Sequence, residues 1–206
     1  MIEQPAIVFD MGMVLVAPIN LYSDLGRLLG VAPERMRAVY ESHRRAYDAG
    51  LPDRDYWSRT AAELGLGPQT LADGQLEALV SADIAAWSVI RPAAAALLAG
   101  LGRAGRTVVV LSNAPTSFAL RARDLPWRHL AERWFFSAEL GLTKPDPAIY
   151  RHVEQALKRP PEQLWFVDDR PENVDQASAR GWRAHLWRDD QDTRAWLESA
   201  GLLPRD

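Results

Sequence analysis

A chain of 206 residues, 48% hydrophobic and 25% charged, is long enough for one packed domain or one domain carrying an insertion. Its net charge of −3 offers no footprint for nucleic acid or an anionic membrane, and the absence of cysteine excludes disulfides and thiolate metal sites. No run reaches the roughly 18 apolar residues of a membrane span, and the apolar run in "MIEQPAIVFD" is too short for a signal peptide, so a cytoplasmic protein is expected.

The first predicted strand is Ala6–Phe9, an apolar run that ends on Asp10 with Gly12 just beyond. The stretch from about Ala17 to Ala85 then shows no strand pattern. It reads as helices over Leu21–Leu29, Pro33–Ala49, Asp55–Leu64 and Gln75–Trp87, separated by "GVAP", "AGLPD" and "GLGPQT". An Ala/Leu-rich helix follows over Pro92–Ala104, then the strand Thr107–Leu111. "TVVVL" has consecutive β-branched residues and no polar alternation, as in a strand buried on both faces. Next come a helix over Ser117–Arg123, a strand over Trp134–Phe136 and a helix over Pro147–Leu157. The strand Leu164–Val167, the helix Pro171–Arg180, the strand Arg183–Trp187 and the helix Thr193–Ala200 complete the chain. Pro147 and Pro171 sit at first-turn positions, and Gly181 is a helix stop. Repeated strand–helix–strand order implies a parallel sheet with helices on both faces, and the first strand is followed by a helical insertion.

Ligands of open parallel sheets bind beyond the carboxyl ends of the strands. Here those ends carry Asp10, then Ser112 and Asn113, then Asp168 and Asp169, with Lys144 just before a helix start. Three carboxylates at one edge repel one another unless a cation intervenes. A hard divalent cation such as Mg²⁺ takes carboxylates, waters and phosphate oxygens. Lys144, Ser112 and backbone N–H groups supply donors to an anion, a set suited to phosphoryl transfer.

The four stretches "VFDMGMVL", "VVLSNA", "KPDPAIY" and "FVDDRPENV", in this order, resemble the motifs of the haloacid dehalogenase-like (HAD) hydrolase superfamily. The resemblance is nearest to its phosphatase-rich branch with a helical cap, and within that to sugar-phosphate phosphatases whose first motif is FDxGNV-like. It implies an α/β, Rossmann-like core of residues 1–16 and 86–206 with an inserted helical cap of residues 17–85. It further implies Asp10 as nucleophile and Mg²⁺ ligand, the main-chain carbonyl of Gly12 as a second ligand, and Ser112 and Asn113 as phosphate-binding groups. Lys144 matches the neutralising cation, Asp169 the direct metal ligand, Asp168 its partner, and Asn173 a brace behind the metal loop.

The resemblance breaks at Gly12, where family phosphatases commonly carry an aspartate that protonates the leaving oxygen. Such catalysis contributes typically 10²–10⁴-fold. The expectation is a Mg²⁺-dependent phosphatase of a small phosphorylated metabolite, slow or selective because Gly12 replaces the acid/base. A sugar phosphate is one candidate substrate. Two alternatives stand beside it: a binding protein that has lost turnover, and a metal-independent 2-haloacid dehalogenase, which gains nothing from Asp168 and Asp169. Cap candidates for substrate choice are His43, Arg44, Arg45, Tyr47 and Trp57, from the polar stretch "ESHRRAYDAG" and its neighbourhood. His129, His152 and His185 have no metal spacing, and the acids of "WRDDQDTR" read as helix capping. The protein is expected to be a monomer or homodimer.

Overall fold

The computed structural model describes residues 4–67 and 71–204. Pro68–Thr70 of the expected "GLGPQT" connection lie outside the described residues. Five strands form the sheet: β1 (Ala6–Phe9), β2 (Thr107–Ser112), β3 (Arg133–Phe136), β4 (Leu164–Asp168) and β5 (Arg183–Leu186). All pairs are parallel, in the order β3-β2-β1-β4-β5. Val8 lies between Val109 and Phe166 in register, so β1 is central and flanked on both sides.

The helices are α1 (Leu21–Leu29), α2 (Pro33–Tyr40), α3 (Arg44–Asp48), α4 (Asp53–Glu63), α5 (Asp73–Ala86), α6 (Pro92–Arg103), α7 (Thr116–Arg121), α8 (Ser137–Leu140), α9 (Pro147–Leu157), α10 (Pro171–Ala179) and α11 (Asp190–Ser199). Successive side chains of a strand point to opposite faces. Thus Ile7, Phe9, Val108 and Val110 pack with α6, α7 and α11 through Leu98, Phe118 and Leu197. Val8, Val109, Leu111 and Phe166 pack on the other face against Ile149, Val153 and Ala177 of α9 and α10. Each such buried apolar side chain stabilises by about 1.5–3 kcal/mol. The unbroken apolar runs of β1 and of Val108–Leu111 in β2 have this cause: both faces are covered.

Helices α1–α5 form the inserted cap, with an apolar core of its own around Leu25, Tyr40, Tyr56, Trp57 and Leu79. Gly30 ends α1 in the left-handed conformation (φ 69°) and its N–H donates to Arg27 O. The two connections between cap and sheet run side by side. Val16 bridges both Gly12 and Ile90, and Arg91 N donates to Leu15 O at 2.9 Å.

The expected helix over Pro33–Ala49 is corrected to two, α2 and α3, broken at Glu41–His43. The break lets Arg44 reach Asp83 of α5, 39 residues away, a contact that local propensity cannot register. The last helix starts at Asp190 rather than Thr193, because Asp189 caps it by accepting from Asp192 N at 2.7 Å. That agrees with capping as the role of these acids.

Candidate active site

The chain passes from β1 to β2 and β3 on one side, then crosses to β4 on the other. The crevice between β1 and β4 is the topological switch point, where the ends of adjacent strands diverge and leave room for a ligand. Asp10 ends β1, and its N–H donates to Val167 O at 2.8 Å, which holds it in line with the sheet. A tight turn follows: Val14 N donates to Gly12 O at 2.7 Å, and Leu15 N and Val16 N donate to Met11 O at 2.9 Å each. Met13, in this turn, adopts a left-handed φ of 60° and is 46% exposed.

Lys144 is brought to the centre by Asn113. The Asn113 side chain accepts from Lys144 N at 2.8 Å and donates to Lys144 O at 3.0 Å. Its two polar ends thus position the lysine main chain. The buried Lys144 Nζ lies 2.6 Å from Asp10 Oδ1 and 2.6 Å from Asp168 Oδ2. Asp168 is fully buried. Its Oδ1 accepts from Arg170 N and Asn173 Nδ2, both at 2.9 Å, while Oδ2 accepts from Asn173 Nδ2 at 3.0 Å as well as from the lysine. Tyr150 in turn donates to Asn173 O at 3.0 Å. Asp168 is therefore committed to the protein, whereas half-buried Asp169 lines the cleft. Ser112, 2% exposed, lines it as well.

Burial raises the Asp10 carboxyl to about 7; Lys144 opposes this and Asp168 adds to it. Asp169 is also raised, by burial and then by Asp168. Burial pulls the Lys144 ammonium down, but Asp10 and Asp168 outweigh it and raise it overall. Oxygens from Asp10, Asp168 and Asp169 all lie within 4.8 Å of one another. An all-oxygen, carboxylate donor set of this kind fits a hard divalent cation.

The expectation that Gly12 leaves the site short of a carboxylate is corrected by this geometry. The carboxylate cluster is intact through Asp10, Asp168 and Asp169, at the two strand ends where the sequence places them. A Cβ at position 12 would stand 3.5 Å from Cζ3 of Trp87, so an indole from the end of the cap borders that space. The functional expectation built on a defective acid/base position is withdrawn.

The cleft between sheet edge and cap has a volume of about 480 Å³. Among the cap candidates, Arg44 and Arg45 line it. His43 does not; it pairs with Glu63 at 3.1 Å. Buried Tyr47 donates to Asp53 at 2.7 Å, and Trp57 is wholly inside the cap core, so neither lines the cleft. Arg44 pairs with Asp48 at 2.9 Å and Asp83 at 3.3 Å, and lies 5.1 Å from the Tyr40 ring centroid. Burial raises both Asp48 and Asp83, against the pull of Arg44. Among the cleft residues not singled out from sequence are Tyr22, Tyr40, Asp48, Asp83, Trp87 and Phe118. The four-residue spacing of Tyr40 and Asp48 on either side of the candidate Arg44 is the signal that relates two of these positions.

A model of the haloacid dehalogenase-like hydrolase family matches residues 5–180. Phosphatase MT3486 of Mycobacterium tuberculosis (strain CDC 1551 / Oshkosh) is 31% identical over 139 residues, 66% of this chain and 61% of that protein. Drimenol cyclase drtB of Aspergillus calidoustus is 34% identical over 68 residues, 33% of this chain and 13% of that protein. The matched stretches thus span less than two thirds of either curated relative. Among solved structures, a predicted HAD-like hydrolase from Porphyromonas gingivalis superposes with a TM-score of 0.72 at 20% identity, covering 98% of both chains. A HAD family enzyme from Bacteroides thetaiotaomicron in complex with magnesium and inorganic phosphate gives 0.68 at 17%, covering 90% of this chain and 95% of that one. L-2-haloacid dehalogenase from Xanthobacter autotrophicus, with chloropropionic acid covalently bound, gives 0.69 at 18%, covering 98% and 85%. These three likenesses concern the fold. With the family model matching most of its length, the chain belongs to the haloacid dehalogenase-like hydrolases.

Proposed function

We propose that this chain is a Mg²⁺-dependent hydrolase of the phosphatase branch, acting on a small phosphorylated substrate with Asp10 as nucleophile. The observation that carries the reading is the Lys144 ammonium held at 2.6 Å from both Asp10 and Asp168, with Asp169 beside them at the switch point. Mg²⁺ would be held by Asp10, Asp169 and the main-chain oxygen of Gly12, and when bound it neutralises charge on phosphoryl oxygens. An ionised Asp10 oxygen attacks phosphorus and the P–O ester bond breaks, the leaving oxygen taking a proton from water to depart as the alcohol; a second water then attacks phosphorus, breaks its bond to Asp10, and frees phosphate and the carboxylate. Lys144 offsets the charge of Asp10 and the phosphoryl group, and Ser112 donates to a phosphoryl oxygen. Asn113 keeps Lys144 in place through the paired main-chain contacts, and Asn173 keeps Asp168 oriented. The cap of residues 17–85 excludes water and offers the exposed Arg45 to the leaving group, while Arg44 is held by Asp48 and Asp83. The name of the mycobacterial relative, a phosphatase, and the magnesium and phosphate of the Bacteroides structure support this class of substrate.

The test is phosphate release from a panel of monoesters by wild type and Asp10→Asn, with Mg²⁺ and with EDTA. Release is expected to need Mg²⁺ and to fall by about a thousandfold or more in the variant. Turnover that survives Asp10→Asn, or halide release from chloroacetate in EDTA, overturns the reading.

A further inference from the structure

Trp87 closes α5 and begins the second connection between cap and sheet. Its indole packs against the apolar core of the cap and against that of the sheet, yet the residue is half-buried and lines the cleft. Its orientation is fixed. Trp87 Nε1 donates to Tyr40 Oη at 3.0 Å, Arg44 Nη1 donates to the same oxygen at 2.9 Å, and Tyr40 donates onward to Asp83 at 2.5 Å. The ring edge stands 3.5 Å from where a Cβ of residue 12 would be, two positions beyond Asp10. A glycine there leaves the edge of the ring open to whatever lies on Asp10. Tyr22 and Phe118 add further aromatic surface to the same cleft, and half-exposed Met13 adds a thioether. The cations and anions of the cap wall nearest the ring are already spent on one another, Arg44 with Asp48 and Asp83.

From this arrangement we infer that Trp87 is a specificity-determining residue: a rigid aromatic edge beside the leaving group, selecting phosphate monoesters whose alcohol carries a flat ring. The inference rests on the proposed phosphomonoester chemistry. A flat ring packs edge-to-face against a pre-positioned indole with little loss of side-chain freedom, because the indole is already held. A short aliphatic group covers little of it.

The test uses two non-hydrolysable probes with the same head group, phenylphosphonate and methylphosphonate, titrated calorimetrically into the protein with Mg²⁺. Wild type is expected to bind the phenyl compound about tenfold more tightly. Trp87→Phe keeps a ring and most of that ratio; Trp87→Leu brings the ratio to about twofold or less. A second readout needs no folded leucine variant. The indole N–H resonance that Trp87→Phe deletes should move on adding phenylphosphonate to wild type and stay in place with methylphosphonate. A wild-type ratio under about threefold, an unchanged ratio in Trp87→Leu, or an unmoved indole resonance overturns the inference. Equal affinity for both probes does so while leaving the phosphomonoester reading standing; binding of neither probe removes both.

Discussion

Replacing Lys144 by methionine removes the one positive charge shared by two buried carboxylates while keeping most of the apolar stem. The ammonium side chain is 2% exposed, and its partners Asp10 and Asp168 are 11% and 0% exposed at the side chain. Breaking a buried ion pair by deleting one member costs about 3–5 kcal/mol, because the other charge is left in a poor solvent. Here two charges are left, and they lie against each other and Asp169. For a chain of this size each kcal/mol moves the melting temperature by roughly 2–4 °C, so a fall of about 6–20 °C is expected in EDTA at pH 8. The loss should shrink at pH 5.5. There Asp10, raised to about 7 even with the lysine present, carries its proton, and less uncompensated charge remains. The double variant Lys144→Met with Asp168→Asn should regain part of the difference at pH 8. The assay is thermal unfolding of the three proteins at both pH values. A Lys144→Met protein melting within about 2 °C of wild type at pH 8, or losing as much at pH 5.5 as at pH 8, would refute the account of the lysine as charge compensation.

Two further outcomes follow from single residues. Between the ordinary carboxyl value of 3.8 and its folded value of about 7, Asp10 holds a proton only when folded. Stability in EDTA should therefore fall with rising pH across that window, on the order of 1 kcal/mol per pH unit from this group. Asp10→Asn removes that slope, so denaturant titrations of the two proteins should diverge from pH 4.5 to 7, with the variant the more stable at the upper end; parallel lines contradict it. Met13→Gly relieves a left-handed φ that costs about 1–2 kcal/mol in an L-residue, offset by about 0.5–1 kcal/mol for the freer unfolded chain. Because Met13 is 46% exposed, little burial is lost, and the melting temperature should rise by a few degrees. A lower melting temperature would mean the Met13 side chain contributes more packing than its exposure indicates.

What the amino-acid order settled is local or topological. Consecutive β-branched residues place Thr107–Leu111 on a doubly covered strand, and that is where β2 runs. Pro147 and the Asp146 cap, which accepts from Ala148 N at 2.8 Å, start α9 on the expected residue. Alternation of strands and helices makes the sheet parallel, and a parallel sheet brings its strand ends to one edge. The gathering of Asp10, Ser112, Lys144, Asp168 and Asp169 was therefore legible before any coordinates. The cap wall was not. Trp57 and Trp87 are the same residue type on neighbouring helices, yet one fills the cap core and the other faces the cleft. Which way a helix turns is decided by packing against the rest of the cap, and no periodicity in one helix encodes its rotation against another. Arg44 shows the same limit, because the break that lets it meet Asp83 depends on a partner 39 residues away. Gly12 is the sharpest instance. The sequence places Asp10, Asp168 and Asp169 at one edge, but nothing in it says what stands beside residue 12; the folded chain brings the Trp87 indole there, 75 positions along the chain. Parallel strands set where their ends meet, whereas the packing of the cap on the sheet sets what faces them.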